Sequence, residues 1–247
     1  MRPRVTLFVP TLNEEEGMRL IMPRVRPDWV DQVLVVDGGS RDGTVAYARE
    51  RGYDVVVQRR RGLRHAYTEG LPSARGDVII TFSPDGNCIP EDIPKLTARL
   101  DEGCDMVIAS RYVGGMRSED DDWLTRLGNS FFRRLISTLH GGSLVDPMTI
   151  YRAWWKPLFY HLDLDRDRSY FQERWFNTVM GVEQLMTVRA LKAGLQIAEI
   201  PSPEPARIAG VRKLQVIRWG LAYATQIVME RFVWEPPRTV MKRSRSG

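Results

Sequence analysis

A segment near residue 80 brings a hydroxyl, a carboxylate and an amide to the end of an apolar run. Ser83, Asp85 and Asn87 directly follow the β-branched run Asp77–Phe82. Carboxylate and amide oxygens are the ligands that hard divalent cations prefer, and such a cation neutralises the charge of a departing diphosphate. Asp85 and Asn87 are therefore candidate metal ligands. An Asp-Gly turn that binds nothing is the alternative.

Two earlier loops also carry polar side chains after short apolar runs. Val9–Glu14 ends the first run and begins a helix whose free N–H groups can hold a nucleotide, although a helix cap explains Asn13 and Glu14 about as well. Asp37 ends the second run on a glycine turn. Its carboxylate can accept a hydrogen bond from a base or ribose, or it can simply form the turn.

The elements that must position these side chains follow from an alternation of apolar patterns. Predicted strands are Val5–Pro10, Gln32–Asp37, Tyr53–Gln58, Asp77–Phe82 and Met106–Ser110, and predicted helices between them are Glu14–Met22, Asp42–Arg51, Leu63–Ala74 and Pro90–Glu102. A βαβ series of this kind predicts an α/β fold, with a mostly parallel sheet flanked by helices. Ligands of such sheets lie outside the carboxyl ends of the strands, where the polar loops fall.

The second half of the chain departs from this alternation. An apolar-periodic segment covers Trp123–Leu139, and a further helix and strand are predicted at Val182–Gly194 and Leu195–Pro201. The arginine-rich cluster Arg59–Arg64 is expected to be mostly solvated, with Arg64 or His65 facing the site.

Composition excludes several classes of protein. The 247 residues are 43% apolar with a formal charge of +5, so a disordered, collagenous or disulfide-stapled chain is excluded. The basic balance weakly favours anionic partners such as phosphates or a membrane surface. Two cysteines and three scattered histidines give no metal-knuckle or zinc spacing, and free thiols suit a reducing compartment.

Neither a secretion signal nor a membrane span is expected from the pattern, which predicts a cytoplasmic protein. The segment Leu214–Trp234 is apolar-periodic and precedes a basic tail. It either docks on the protein's own core or lies on the inner face of an anionic membrane, as a peripheral contact. We therefore divide the chain into a main α/β domain at 1–213 and a C-terminal amphipathic helix with its tail at 214–247.

The order of the motifs resembles a known family. Val9–Glu14, Val35–Thr44, Gly76–Asn87 and Ala109–Tyr112 are similar to the motifs of the family-2, inverting glycosyltransferases with a GT-A fold. Further positions resemble the dolichol- or polyprenyl-phosphate mannose synthase branch of that family: Asp146, Thr149, Tyr151, Arg152, Glu183, Glu199–Pro201, Arg207, Gly210 and Lys213. The resemblance covers about residues 4–215, and the ordered co-occurrence of the motifs makes it specific.

The resemblance implies roles for individual residues. Positions that match the family's donor site are Pro10, Leu12, Glu14, Asp37, Gly38, Gly62, Ser83, Pro84, Asp85, Arg111 and Arg126, the two arginines reaching the phosphates. Asp85 matches the second acid of the family's Asp-x-Asp motif, which holds Mg²⁺ or Mn²⁺, and Ser83 stands where the first acid would be. Arg207 and Lys213 match a flexible basic loop that closes over donor and acceptor phosphate. Nucleic acid is not an expected partner.

The resemblance implies an inverting transfer of a sugar from a GDP- or UDP-sugar to a polyprenyl phosphate, with Asp85, Glu183, Arg207 and Lys213 as the catalytic residues. A lipid phosphate is already ionised and needs no general base. Transfer to a hydroxyl of a soluble metabolite or cell-envelope glycan is the alternative, and it needs Glu183, Asp146 or Asp85 as the base. Glu183 fits equally well as a first-turn acid favoured by its helix dipole. From another class, the serine at 83 allows a catalytically weakened nucleotide-sugar-binding protein.

Overall fold

The computed structural model describes residues 2–116, 118–121, 123–208 and 216–237. Its strands are β1 (Val5–Thr11), β2 (Gln32–Asp37), β3 (Asp54–Val57), β4 (Val78–Thr81), β5 (Met106–Ser110), β6 (Arg152–Trp155) and β7 (Ile197–Pro201). Its α-helices are α1 (Glu15–Ile21), α2 (Thr44–Glu50), α3 (Leu63–Gly70), α4 (Ile93–Asp101), α5 (Trp123–His140), α6 (Pro157–His161), α7 (Gln172–Phe176), α8 (Glu183–Lys192) and α9 (Val216–Val233).

The strands form one sheet of seven, in the order β3-β2-β1-β4-β6-β5-β7. All neighbouring pairs are parallel except those of β6, which runs antiparallel to both β4 and β5. The predicted α/β class with a mostly parallel sheet is confirmed. The carboxyl ends of β1, β2 and β4 lie at one edge, because β1 pairs with both of the others in parallel register.

Strand β6 has no counterpart in the sequence prediction. It is only four residues long and almost completely buried, and it begins with Arg152. A charged residue at its start is not typical of a buried strand, so the sequence pattern does not predict it. The Arg152 guanidinium donates to the Thr149 and Glu183 carbonyls at 3.0 and 2.9 Å and to the Thr187 hydroxyl at 2.9 Å. These bonds satisfy the buried cation and attach the sheet to the first turn of α8.

Both faces of the sheet are buried, as expected for a doubly wound fold. Alternate residues of β1 enter different clusters: Leu7 and Val9 pack below the helices of one face, and Phe8 packs on the other face beside Tyr67 of α3. The Phe8 and Tyr67 rings stack with their centroids 5.2 Å apart. Tyr67 is thereby held in the core with its hydroxyl near the start of α8.

Helix α9 packs on the body of the protein, which is the first of the two alternatives for Leu214–Trp234. It contacts α5, α7 and α8 and buries Ala222, Gln226, Ile227 and Glu230. The Glu230 carboxylate binds the Arg189 guanidinium of α8 at 2.9 and 3.0 Å, and both side chains are nearly inaccessible to solvent. The boundary set at 213/214 lies outside the described residues. None of the described helices is long and apolar enough to cross a bilayer.

Candidate functional site

Two adjoining cavities lie at the carboxyl ends of the central strands. The first has a volume of about 860 Å³ and the second about 390 Å³. Six residues line both of them: Leu63, Ser83, Asp85, Ile150, Arg207 and Trp219. A ligand in the first cavity can therefore meet a ligand in the second beside Asp85 and Arg207.

The structure brings many of the predicted site residues together. Pro10, Leu12, Glu14, Gly38, Gly62, Ser83 and Asp85 line the first cavity. Ser83, Asp85, Asn87, Arg111, Glu183 and Arg207 line the second. The loops after β1 and β2 are braced against each other, because the Asn13 N–H donates to the Ser40 hydroxyl at 2.8 Å and the Asn13 side-chain oxygen accepts from the Arg41 N–H at 2.8 Å. Asn13 does this with a positive φ of 56°.

Asp37 forms its own turn, and it is not among the residues that line either cavity. Its carboxylate accepts the N–H groups of Gly39 and Ser40 at 2.9 and 2.8 Å and the hydroxyls of Thr11 and Ser40 at 3.0 and 2.5 Å. The side chain is almost fully buried. In this structure Asp37 therefore shapes the loop that presents Gly38 to the cavity. Its predicted contact with a nucleotide stays a prediction.

The Ser83–Asn87 loop carries the most polar part of the site. The Asp85 carboxylate accepts the Asn87 N–H at 3.1 Å and pairs with the Arg207 guanidinium at 2.8 Å. The Asn87 amide donates to Asp120 at 3.1 Å, while its side-chain oxygen is buried without a hydrogen-bond partner among the described residues. Pro84 lies behind the loop, with its carbonyl against Gly17 of α1, where any larger side chain would collide with it.

Asp85 and Asn87 can hold a metal only with help from a ligand. No three carboxylate, imidazole or thiolate groups converge in a metal-ligating arrangement within the described part of the chain. The unpartnered Asn87 oxygen beside the Asp85 carboxylate nevertheless provides two hard oxygen ligands. Mg²⁺ is commonly bound by one or two protein oxygens plus substrate phosphates, so this donor pair fits a cation that arrives with a diphosphate.

Arg111 is held by carboxylates. Its guanidinium binds both oxygens of Asp146 at 2.7 and 2.8 Å, and a third nitrogen lies 3.4 Å from Glu204. Burial opposes the charge of Arg111, yet its hydrogen bonds to Asp146 outweigh burial and raise the pKa of the guanidinium well above its usual value. Burial also raises the pKa of the Glu204 carboxyl, which Arg111 partly offsets. Arg111 also lines the second cavity.

Glu183 begins α8 and lines the second cavity. One carboxylate oxygen accepts the Tyr67 hydroxyl at 2.6 Å, and the side chain is 6% exposed. Burial and the neighbouring Glu183 charge raise the pKa of Tyr67 well above its usual value, so this phenol remains a hydrogen-bond donor. Glu183 is therefore the first-turn acid of a helix and also faces a cavity, and its role as a base stays a prediction.

Some predicted residues do not line either cavity or lie outside the described residues. Arg126 is exposed on α5 and is not among the residues lining either cavity. The sequence predicts that Arg64 or His65 faces the site, but neither is among the residues lining the cavities. The Arg64 guanidinium is buried against Glu173 at 2.7 and 3.0 Å and Asp167 at 2.6 Å. Lys213 lies outside the described residues, as does Gly210.

Sequence reasoning missed one wall of the first cavity. The turn Asn177–Val179 follows α7 and lines it, together with Gln58, Arg61 and Trp219. Val179 packs on Gly62 so closely that a Cβ there would collide with its methyl groups, and Gly62 has a φ of 109°. The turn is anchored by Glu173, which accepts the Met180 N–H at 2.9 Å while binding Arg64. The sequence gives no signal for this anchor, because Glu173 is held in place by Arg64, which lies 109 residues away along the chain.

Comparison with known proteins adds a family and a fold. The family model described as glycosyl transferase family 2 matches residues 6–157. Polyprenol monophosphomannose synthase of Mycolicibacterium smegmatis is 30% identical over 246 residues, covering 88% of this chain and 87% of that protein. Glycosyltransferase AglJ of Haloferax volcanii is 30% identical over 199 residues, covering 80% of this chain but 62% of the longer relative.

A solved structure has the same fold. Glucosyl-3-phosphoglycerate synthase from Mycobacterium tuberculosis, crystallised with Mn²⁺, UDP and glucosyl-3-phosphoglycerate, superposes with a TM-score of 0.59. The match covers 93% of this chain and 80% of that one at 21% identity.

Proposed function

Because the chain belongs to glycosyl transferase family 2, we propose that it transfers a sugar, with inversion, from a nucleotide-diphosphate sugar to a polyprenyl phosphate. The observation that carries the proposal is the pair of cavities that meet at Asp85 and Arg207. Two substrates with a charged group between them need two compartments with a shared polar wall. The name of the mycobacterial relative supports the lipid phosphate as the acceptor class.

The first cavity is the donor compartment in this proposal. Its volume of about 860 Å³ is within the range of sites for ligands of this size. The loops at Pro10, Leu12 and Gly38 lie at one end, and Ser83 and Asp85 lie at the other. A base at the first end and a diphosphate at the second match that order.

Asp85 and the Asn87 oxygen would hold Mg²⁺ or Mn²⁺ once the donor's phosphates complete the ligand set, and the metal would supply positive charge to the departing diphosphate. Arg207 has the same electrostatic role from the protein. It lies between the two cavities, its side chain is 23% exposed, and its Nε has no partner among the described residues. A cation held ready at this position stabilises charge that develops during the transfer without a costly rearrangement.

The second cavity is the acceptor compartment. Its outer wall is formed by α5 through Leu124, Gly128 and Phe132, and by α9 through Trp219 and Tyr223. Apolar helix surfaces suit an isoprenoid chain, and Arg207 at the inner end suits its phosphate. An in-line attack by an ionised phosphate oxygen needs orientation by these groups and no proton transfer.

A hydroxyl-bearing acceptor is the second candidate, favoured by the placement of Glu183. This carboxylate lies in the second cavity and accepts a hydrogen bond from Tyr67, a position from which it would take a proton from an acceptor hydroxyl.

The proposal predicts which ligands stabilise the protein. Unfolding midpoints are measured with UDP, GDP, CDP and their common sugars, with and without Mn²⁺ or Mg²⁺. One nucleotide should raise the midpoint, and metal should enlarge the shift, because ligands that bind only the native state stabilise it. That donor is then incubated with undecaprenyl phosphate, and sugar should move to the lipid. No shift with any nucleotide would contradict the proposal, and transfer only to soluble hydroxyl acceptors would favour the second candidate.

Peripheral contact with the membrane follows from a lipid acceptor, and two neighbouring helices support it. α5 exposes an apolar stripe at i, i+4 spacing, Trp123, Leu127 and Phe131, with exposed fractions of 71%, 61% and 52%. α9 exposes Leu221, Val228 and Phe232. The exposed charges on both helices are all arginines, Arg126, Arg134, Arg218 and Arg231, since Glu230 is buried. An apolar stripe accompanied by these exposed arginines suits an anionic lipid surface.

Replacing Phe131 with Glu should weaken binding to anionic vesicles at least tenfold, because burying such a side chain in the interface contributes about 1.5–3 kcal/mol. Binding is measured by co-sedimentation with vesicles of equal parts phosphatidylcholine and phosphatidylglycerol. Leu20→Glu is the matched control, since Leu20 is exposed to a similar degree, 51%, on α1. Equal binding by both variants would contradict the assignment of this surface.

A further inference from the structure

Gln184 is a buried amide that binds nothing in the described structure. It is the second residue of α8, it is 1% exposed, and it lines the second cavity next to Glu183. Neither its side-chain oxygen nor its side-chain nitrogen has a hydrogen-bond partner among the described residues. Burying an amide without partners costs free energy, and because Gln184 lines a cavity, a ligand bound there can complete its hydrogen bonds.

The chemistry of that ligand is restricted by the neighbouring charges. Glu183 lies beside Gln184 and, as an acid, repels an anion such as a phosphate. The Gln side-chain amide presents a donor, its NH2 group, next to an acceptor, its carbonyl oxygen. Its natural complement is a pair of neighbouring neutral groups that both donate and accept. Vicinal hydroxyls of a sugar ring have this property.

Of the two proposed substrates, only the nucleotide sugar has such hydroxyls, on its ribose and on the sugar to be transferred. The ribose stays with the base at the Pro10 and Gly38 end of the first cavity, which Gln184 does not line, so the transferred sugar is the part that can reach Gln184. A polyprenyl phosphate carries a phosphate and a hydrocarbon chain. The reacting sugar carbon must lie where the cavities meet, beside Asp85 and Arg207, and the rest of the ring extends from there. Gln184 lines the second cavity, which also contains Asp85 and Arg207, so a sugar attached at their position can reach it.

We propose that Gln184 binds two adjacent hydroxyl groups of the transferred sugar and thereby selects which sugar is accepted. This inference rests on the proposed function, and it adds a specificity residue to it. A sugar with a different arrangement of these hydroxyls leaves the amide unpaired and binds more weakly.

The test compares binding of a nucleotide sugar with binding of the same nucleotide without its sugar. Wild type and Gln184→Leu are titrated by calorimetry with UDP and UDP-glucose and with GDP and GDP-mannose, in the presence of Mn²⁺. With the pair that wild type binds, Gln184→Leu should weaken the nucleotide sugar about tenfold and change the nucleoside diphosphate less than twofold, since two hydrogen bonds to the sugar are lost.

Gln172→Leu is the matched control. Gln172 lies in α7, is fully buried, and likewise has neither side-chain atom paired among the described residues, but it is not among the residues lining either cavity. This variant should bind both ligands as wild type does. Both substitutions remove an unpaired buried amide, so neither should lower the unfolding midpoint, which verifies that each variant is folded.

Three results would overturn the inference. Equal weakening of the nucleotide and the nucleotide sugar would mean that Gln184 acts through the shape of the whole site. Unchanged affinity for both, with a raised KM for an acceptor, would assign Gln184 to the acceptor. Binding of no nucleotide by wild type would overturn the proposed function and this inference with it, a result that the wild-type titration alone distinguishes.

Discussion

Replacing Asp85 with Asn is expected to lower turnover by about a thousandfold while leaving the fold intact. Asp85 lies where the two cavities meet and is the carboxylate that pairs with Arg207. It is also the one acid of the Ser83–Asn87 loop. Removing its charge removes a metal ligand and frees Arg207 from its position. Losing one preorganised electrostatic contact to a developing charge costs about a hundredfold to a thousandfold, and Asp85 serves two such contacts.

Turnover is measured as sugar transfer to undecaprenyl phosphate with the donor found in the thermal-shift panel. Asp92→Asn is the matched control, because Asp92 is as deeply buried as Asp85, pairs with Lys95 at 2.6 Å, and does not line either cavity. It should retain turnover. Asp85→Asn with more than a tenth of wild-type activity would mean that the transfer does not depend on this carboxylate. If wild type bound the nucleotide sugar without transferring the sugar, and Asp85→Asn bound it equally well, the result would instead favour a binding protein.

The strand ends are the part of the site that the sequence predicts well. Leu12, Gly38 and Asp85 each follow a buried apolar run, and a parallel sheet brings the ends of such runs to one edge regardless of the details of packing. The family resemblance, confirmed by the match over residues 6–157, rests on these same loops. The local apolar pattern and the topology of a parallel sheet together were sufficient to predict where these loops lie.

Groups whose role depends on distant partners were not predictable in the same way. Arg64 belongs to a charged cluster that reads as solvated, yet Glu173 and Asp167, more than 100 residues away, bury it. Arg152 begins a strand because the carbonyls of Thr149 and Glu183 accept its hydrogen bonds, and no local signal encodes that. Tertiary partners override local propensity at these positions.

The predicted boundary after residue 213 separates α9 from a site to which α9 contributes residues. Trp219 of α9 lines both cavities, and Tyr223 lines the second while its hydroxyl accepts the Gly181 N–H at 3.0 Å. The C-terminal helix therefore completes the site from which the sequence analysis separated it. Deleting the whole segment would expose the surface that Ala222 and Ile227 cover, so a single substitution tests its role more cleanly.

Glu230→Gln is expected to lower the free energy of unfolding by about 3–5 kcal/mol, because it leaves the buried Arg189 without its counter-charge. Arg189 is 3% exposed and Glu230 is 0% exposed in the side chain, so no water replaces the lost carboxylate oxygen. Other contacts of Arg189, to the Leu162 carbonyl at 2.7 Å and across the Trp234 ring, satisfy its hydrogen bonds but not its charge. For a chain of this size the midpoint should fall by about 10 °C in calorimetry.

Glu91→Gln gives the comparison, since Glu91 and Arg24 form an exposed pair of similar length, 2.8 Å, whose loss should cost less than about 1 kcal/mol. The difference between the two losses of stability decides whether α9 is docked on the body of the protein or released from it. A large loss for Glu230→Gln means that α9 is docked in solution and presents only its outer face to lipid. An unchanged midpoint would mean that α9 leaves the body of the protein, which would expose both cavities and transfer the membrane contact from the outer stripe of α5 to the whole of α9.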